Sequence, residues 1–124
     1  MKQLSIFLFT IFLFVGCQTP TKVEKQTCNY SITLNKEFIV ELPSNPSTGY
    51  SWHWANASSS AKIQKTNDSF TSTASPNIVG AGGIQKIRFK GVKRGFETIK
   101  LVYIRSWERG APPAKTMIYT VEIL

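Results

Sequence analysis

A chain of 124 residues can hold one hydrophobic core and is too short for two full domains. Its two cysteines and single histidine are too few for a four-ligand Cys/His metal site, and neither a metal nor a cofactor is expected. The formal charge is +8, from 15 Lys and Arg against 7 Asp and Glu. The cations nevertheless stand singly (Lys62, Lys65, Lys86, Arg88, Lys90, Lys93, Arg94) and form no nucleic-acid motif, so a solvated basic surface and no nucleic-acid partner are expected.

Residues 1–16 read as an export signal. Lys2 supplies a positive charge, and the largely apolar run from Leu4 to Val15 is too short to cross a bilayer, which takes about 20 residues. The run ends Phe14-Val15-Gly16-Cys17, which resembles the lipobox of bacterial lipoproteins, with Phe14 where leucine is usual. That resemblance implies cleavage before Cys17 and acylation of its thiol. The product would be an exported, membrane-anchored lipoprotein of the bacterial cell envelope, in the outer membrane where there are two, since Gln18 rather than Asp follows the cysteine. The alternative is an ordinary secretory signal, with Cys17 retained and bridged to Cys28. Residues 17–27 are polar, carry Pro20 and form a lipidated N-terminus and tether; residues 28–124 form the domain. With Cys17 acylated, Cys28 has no partner and the fold stands without a disulfide.

Beyond the tether, apolar residues alternate with polar ones. Tyr30–Leu34 reads as a strand, Asn35-Lys36 as a turn, and Glu37–Leu42 as a second strand with Phe38, Val40 and Leu42 on one face. Pro43-Ser44-Asn45-Pro46-Ser47-Thr48-Gly49 cannot be regular structure on this reading: two prolines fix φ and remove donors, and Gly49 permits a positive φ. It runs directly into the strand Tyr50–Ala55, whose Tyr50, Trp52 and Trp54 share a face, the tryptophans filling the core. Ala61–Gln64 reads as a short strand and Asp68–Thr73 as another. A glycine-rich loop then leads to Ile84–Val92, Lys93-Arg94-Gly95 turns the chain, and Glu97–Arg105 and Lys115–Leu124 complete the set. No segment of the domain has apolar residues at helical spacing over three turns. About seven short strands separated by turn signals predict an all-β, immunoglobulin-like β-sandwich acting as a monomer.

Alternate connections of such a sandwich emerge at one end. Those are Ser44–Gly49, Ala74–Gly83 and Ser106–Ala114, the three richest in special residues, and they are expected to crowd one tip as functional loops. The first offers hydroxyls on a stiff frame. Gly80-Ala81-Gly82-Gly83 has almost no side chain, so its backbone can approach another surface. Arg105-Ser106-Trp107 carries a planar cation and a large ring, residue types that dominate interface energetics. The alternative for Trp107 is that it folds back to cap the core.

Asn45-Pro46-Ser47-Thr48-Gly49-Tyr50, Gly80-Ala81-Gly82-Gly83 and Arg105-Ser106-Trp107 together resemble the three loop motifs of the chagasin family, inhibitors of papain-like cysteine peptidases. The ordered triple, unlike any one motif, is specific. Ser47 stands where the family commonly has threonine, and Ser106 where the third motif usually has proline, which removes a fixed φ from that loop. The resemblance implies a reversible, non-covalent inhibitor and no enzyme. Ser47 and Thr48 would lie beside the catalytic cysteine and histidine, their hydroxyls and neighbouring amides hydrogen-bonding there. Gly80–Gly83 would lie along one rim, and Arg105 and Trp107 against the opposite wall. Two rivals are a Cys–His hydrolase, which needs Cys28 and His53 to meet, and an adhesion or carbohydrate-binding sandwich using Trp107 and Tyr50 as platforms.

Overall fold

The computed structural model describes residues 29–124. The expected signal peptide and tether, with Cys17 and Cys28, lie outside those residues. Seven strands run in chain order: β1 (Tyr30–Ile32), β2 (Glu37–Ser44), β3 (Tyr50–Trp54), β4 (Ile63–Ser72), β5 (Gly83–Gly91), β6 (Gly95–Arg105) and β7 (Lys115–Ile123). They form two sheets, one of order β1-β7-β6-β3 and the other β2-β5-β4. All pairings are antiparallel except β1 with β7. The only helical turns among the described residues are short 3-10 segments at Pro46–Thr48 and Ala57–Ser59. The expected all-β sandwich is the fold.

Alternation sets the register. Along β2 every second residue is buried, so Phe38, Val40 and Leu42 face the opposite sheet while Glu37, Ile39 and Glu41 face solvent. Ile87 and Phe89 of β5 and Ile99 and Leu101 of β6 meet them, with Val121 and Ile123 of β7 closing the core. Full burial of side chains of this size stabilises by about 1.5–3 kcal/mol each. Trp52 is buried in this core and Trp54 packs against it, as expected of both rings. Trp52 also ties the sheets together, its indole N–H donating to the Pro43 carbonyl at 2.9 Å.

Several boundaries differ from expectation: β1 ends at Ile32, β3 at Trp54, and Gly95, expected in a turn, begins β6. Pro43 and Ser44 continue β2, pairing with Ile84 and Gly83, instead of opening a loop. The missing proline donor is tolerated because β2 is an edge strand. The segments expected as two strands at Ala61–Gln64 and Asp68–Thr73 are one strand, β4, whose register slips at a bulge between Lys65 and Asn67. Gly83 belongs to β5 and lies buried between Ser44 and Ser72, where a β-carbon would overlap the Thr71 carbonyl. Close approach of two neighbouring strands, not loop flexibility, explains that glycine.

Candidate functional site

Loops 45–49, 73–82 and 106–114 emerge at the same end, as the alternation of strand direction requires. The first is bonded to the second and, through Arg105 at the end of β6, to the root of the third. Asn45 caps the 3-10 turn Pro46–Thr48, its side-chain oxygen accepting from the Ser47 N–H at 3.2 Å. Its amide nitrogen reaches across to donate to the Gly80 carbonyl at 3.2 Å. The Ser47 hydroxyl stands within hydrogen-bonding distance of both the Asn45 side-chain oxygen and the Gly80 carbonyl. The backbone N–H of Thr48 donates to the Asn45 carbonyl and that of Gly49 to the Pro46 carbonyl, and the Thr48 hydroxyl also donates to Asn45. Gly49 ends the turn with φ 83°, a left-handed conformation that favours glycine.

These bonds change the expected chemistry of the first loop. The amides of Ser47, Thr48 and Gly49 are all engaged within the loop, so none is presented as a donor to an incoming group. What Ser47 and Thr48 offer outward is the acceptor side of their hydroxyls. Such a surface suits a cationic N–H donor better than an oxyanion.

The third loop is fastened to the first by Arg105. Its Nε donates to the Thr48 carbonyl at 3.0 Å, Nη1 pairs with Glu108 at 2.9 Å, and the guanidinium lies 4.4 Å from the centre of the Tyr50 ring. The bond to Glu108 holds the guanidinium pKa above its ordinary value. Two donors and one face of this cation are therefore used inside the tip. Tyr50 is equally committed, stacked on Tyr103 at 5.2 Å with Arg105 alongside, so its ring is no free platform for a sugar.

Trp107 does not cap the core. It is 66% exposed, with its indole edge against Gly49, where a β-carbon would overlap the ring. The second loop lifts Ile78 and Val79 into solvent, Val79 being 98% exposed. Its neck is closed by the Thr73 hydroxyl and the Gly82 carbonyl at 3.2 Å. Three large apolar side chains thus stand at the crest of the tip, above a hydrogen-bonded base.

All thirteen expected tip residues lie in this region. Tyr50 and Arg105 are strand ends paired with each other, and Gly83 is a buried strand residue. Ser106 and Ala81 make no hydrogen bond among the described residues that assigns them a part. Sequence reasoning missed four contributors. Tyr103 accepts the Asn45 N–H at 2.9 Å and buttresses the first loop from below. Gln85, buried in β5, accepts from the Trp52 N–H and donates to the Trp52 carbonyl and to Asp68, joining the two sheets just beneath the tip. Its signal was a lone polar residue on an otherwise apolar inward face. Ile78 and Val79 were visible as the apolar pair in a loop of Ser, Pro, Asn and Gly.

Comparison with known proteins agrees with this geometry. Residues 31–121 match the model of the chagasin family, peptidase inhibitor I42. The chain is 34% identical over 93 residues to Amoebiasin-2 of Entamoeba histolytica, covering 74% of each. Its fold superposes on the crystal structure of the cysteine protease inhibitor EhICP2 from Entamoeba histolytica with a TM-score of 0.60 at 31% identity, covering 77% of this chain and 87% of that one. It also superposes on Leishmania mexicana ICP with a TM-score of 0.52 at 26% identity, covering 87% and 97%. The chain belongs to the chagasin family of peptidase inhibitors.

Proposed function

We propose that this protein inhibits papain-like cysteine peptidases reversibly and without covalent chemistry, by seating the 45–49 loop over the catalytic pair and the other two loops on the flanking walls. The observation that carries this reading is the tip itself: three loops, cross-linked by Asn45, Ser47 and Arg105, with Trp107, Ile78 and Val79 exposed above them. Internal bonding lowers the ordering cost of association, because the loops arrive already shaped.

The chemistry at the centre follows from charge. A papain-type site holds a thiolate beside an imidazolium. Hydroxyl oxygens of Ser47 and Thr48, with their protons directed inward, face that imidazolium as acceptors. The same turn explains resistance to cleavage. A scissile peptide must lie extended with its carbonyl in line for the thiolate, whereas Pro46–Thr48 is wound into a 3-10 turn closed by Gly49. Trp107 supplies apolar area on one wall, and Ile78 and Val79 supply it on the other. Arg105 acts mainly by holding Thr48 in place. An interface of standard size, about 1,600 Å² in total, is expected.

The leader and Cys17 support an exported, lipid-anchored form of the inhibitor, acting as a monomer with its tip free.

The test is titration of papain and two related enzymes with the processed, folded chain. Competitive inhibition at submicromolar concentration is expected, with the inhibitor recovered at its intact mass. Full enzyme activity at micromolar inhibitor would end the proposal, and so would a cut between Asn45 and Tyr50.

A further inference from the structure

Four of the eight Lys and Arg side chains that stand outside the ion pairs among the described residues lie at the end of the sandwich opposite the tip. The connections 33–36, 55–62 and 92–94 lie side by side there. The Gly91 N–H donates to the Lys36 carbonyl, the N–H groups of Val92 and Lys93 to the Lys62 carbonyl, and the Lys62 side chain lies against Gly95. Lys36, Lys93 and Arg94 are exposed and Lys62 is half-exposed. The four ion pairs among the described residues are Lys65–Asp68, Lys86–Glu41, Arg88–Glu37 and Arg105–Glu108, so none of these four cations is paired. Three carboxylates share this end: Glu37 is taken by Arg88, Glu97 accepts the Lys62 backbone N–H, and Glu122 stands opposite Phe96 in the β6–β7 pairing. The four cations exceed the carboxylates that Arg88 leaves over by two. Two large apolar side chains stand at the same end: Phe96, 60% exposed, and Leu124, 57% exposed.

We infer that this base docks on an anionic phospholipid bilayer and holds the inhibitory tip away from it. Cations ringed around an exposed aromatic and an exposed leucine form the mixture that seats at a lipid headgroup boundary. A polyanion such as nucleic acid would account for Lys36, Lys62, Lys93 and Arg94 but gives no purpose to Phe96 and Leu124. The inference rests on the lipid-anchored reading for its choice of partner. The reach is sufficient: the roughly 12 residues from Cys17 to Asn29 span at most about 40 Å. β1 then runs parallel to β7, toward the base, so the anchored end lies within a short strand's length of it.

Partition of the processed chain carrying Cys17→Ser, which lacks the lipid, onto vesicles tests the surface alone. Vesicles of phosphatidylcholine with about 30% phosphatidylglycerol should bind it, and pure phosphatidylcholine should not. Each cation near an anionic leaflet strengthens partition by about fivefold, so a variant with Lys36, Lys62, Lys93 and Arg94 all changed to Gln should lose on the order of several hundredfold. Its melting temperature and peptidase inhibition should stay at the parent's values. A control with Lys65, Lys86, Lys100 and Arg109 changed to Gln, removing the same charge elsewhere, should lose less than about tenfold. Phe96→Ser should weaken vesicle binding but not retention on heparin. Equal losses in the two quadruple variants, no binding by the parent, or no effect of Phe96→Ser would each overturn the assignment. Failure of a palmitate analogue to label the Cys17 parent in cells would instead end the lipid-anchored reading, and the vesicle result separates the two.

Discussion

A β-carbon at Gly49 would overlap the indole of Trp107, and its φ of 83° already lies in the left-handed region. Gly49 therefore acts on binding through a side chain that is not its own. Trp107→Ala removes an exposed ring, so the melting temperature should hold within about 2 °C, while inhibition should weaken by about 2 kcal/mol, roughly thirtyfold. Gly49→Ala should also weaken inhibition, by on the order of tenfold. Part of that loss is left-handed strain of about 1 kcal/mol, and part is displacement of the ring. The second part vanishes when the ring is gone, so Gly49→Ala should cost clearly less in the Trp107→Ala background. Inhibition constants for the four proteins decide it. The same factor in both backgrounds would mean that Gly49 and Trp107 act separately.

At the scale of elements, two adjacent glycines in one motif have different purposes. Gly83 begins β5 between β2 and β4, where a side chain collides with the Thr71 carbonyl and the Phe70 ring. Gly82 lies in the loop, and a β-carbon there meets the Ser44 carbonyl at 3.3 Å, a contact that a small shift relieves. Gly83→Val should therefore lower the melting temperature by on the order of 10 °C through overpacking. Gly82→Val should lower it by less than about 3 °C and weaken inhibition more than tenfold. Equal melting losses would assign both glycines to the fold alone. The sequence could not separate them, because Gly80-Ala81-Gly82-Gly83 reads as one loop until strand pairing is known. Alternation of period two was legible wherever one face is buried, as in β2, β5 and β6. It failed for β4, which is exposed along nearly its whole length and bulged at Lys65–Asn67, so no apolar face marks it. Pro43 misled in the same way, since a proline excluded from a central strand is acceptable on an edge. Composition made the three loops visible. Their cross-links were invisible, because the bonds from Asn45 to Tyr103 and from Arg105 to Thr48 join residues more than fifty positions apart.

At the scale of the whole molecule there are two aromatic groups, one within the β1-β7-β6-β3 sheet and one that crosses between the sheets. Near the tip, Trp52 and Tyr50 meet on Tyr103 at 5.0 and 5.2 Å. Toward the base a longer chain runs from Tyr119 through Tyr30, Phe38 and Phe89 to Trp54, with successive ring centres 4.7–5.8 Å apart. It starts on the sheet of β1 and β7, crosses to β2 and β5, and returns at β3, so it fastens both edges of the sandwich. The two phenols in this chain make it sensitive to alkali. Burial raises the pKa of Tyr30 above its ordinary value of 10.0, and the Glu41 carboxylate adds to the effect. Burial likewise raises Tyr119, with the charge of Tyr30 as a second cause. Between the unfolded and folded values the folded chain holds protons that the unfolded chain has lost. The stabilisation from these groups is therefore complete below about pH 10 and falls away as pH rises through the folded values. Thermal unfolding followed from pH 8 to 12 should show a steep decline beginning near pH 10. Tyr30→Phe combined with Tyr119→Phe should flatten that decline, whatever the double change costs at neutral pH. Parallel curves for the two proteins would mean that other groups drive the alkaline loss and that this aromatic chain does not hold the edges together.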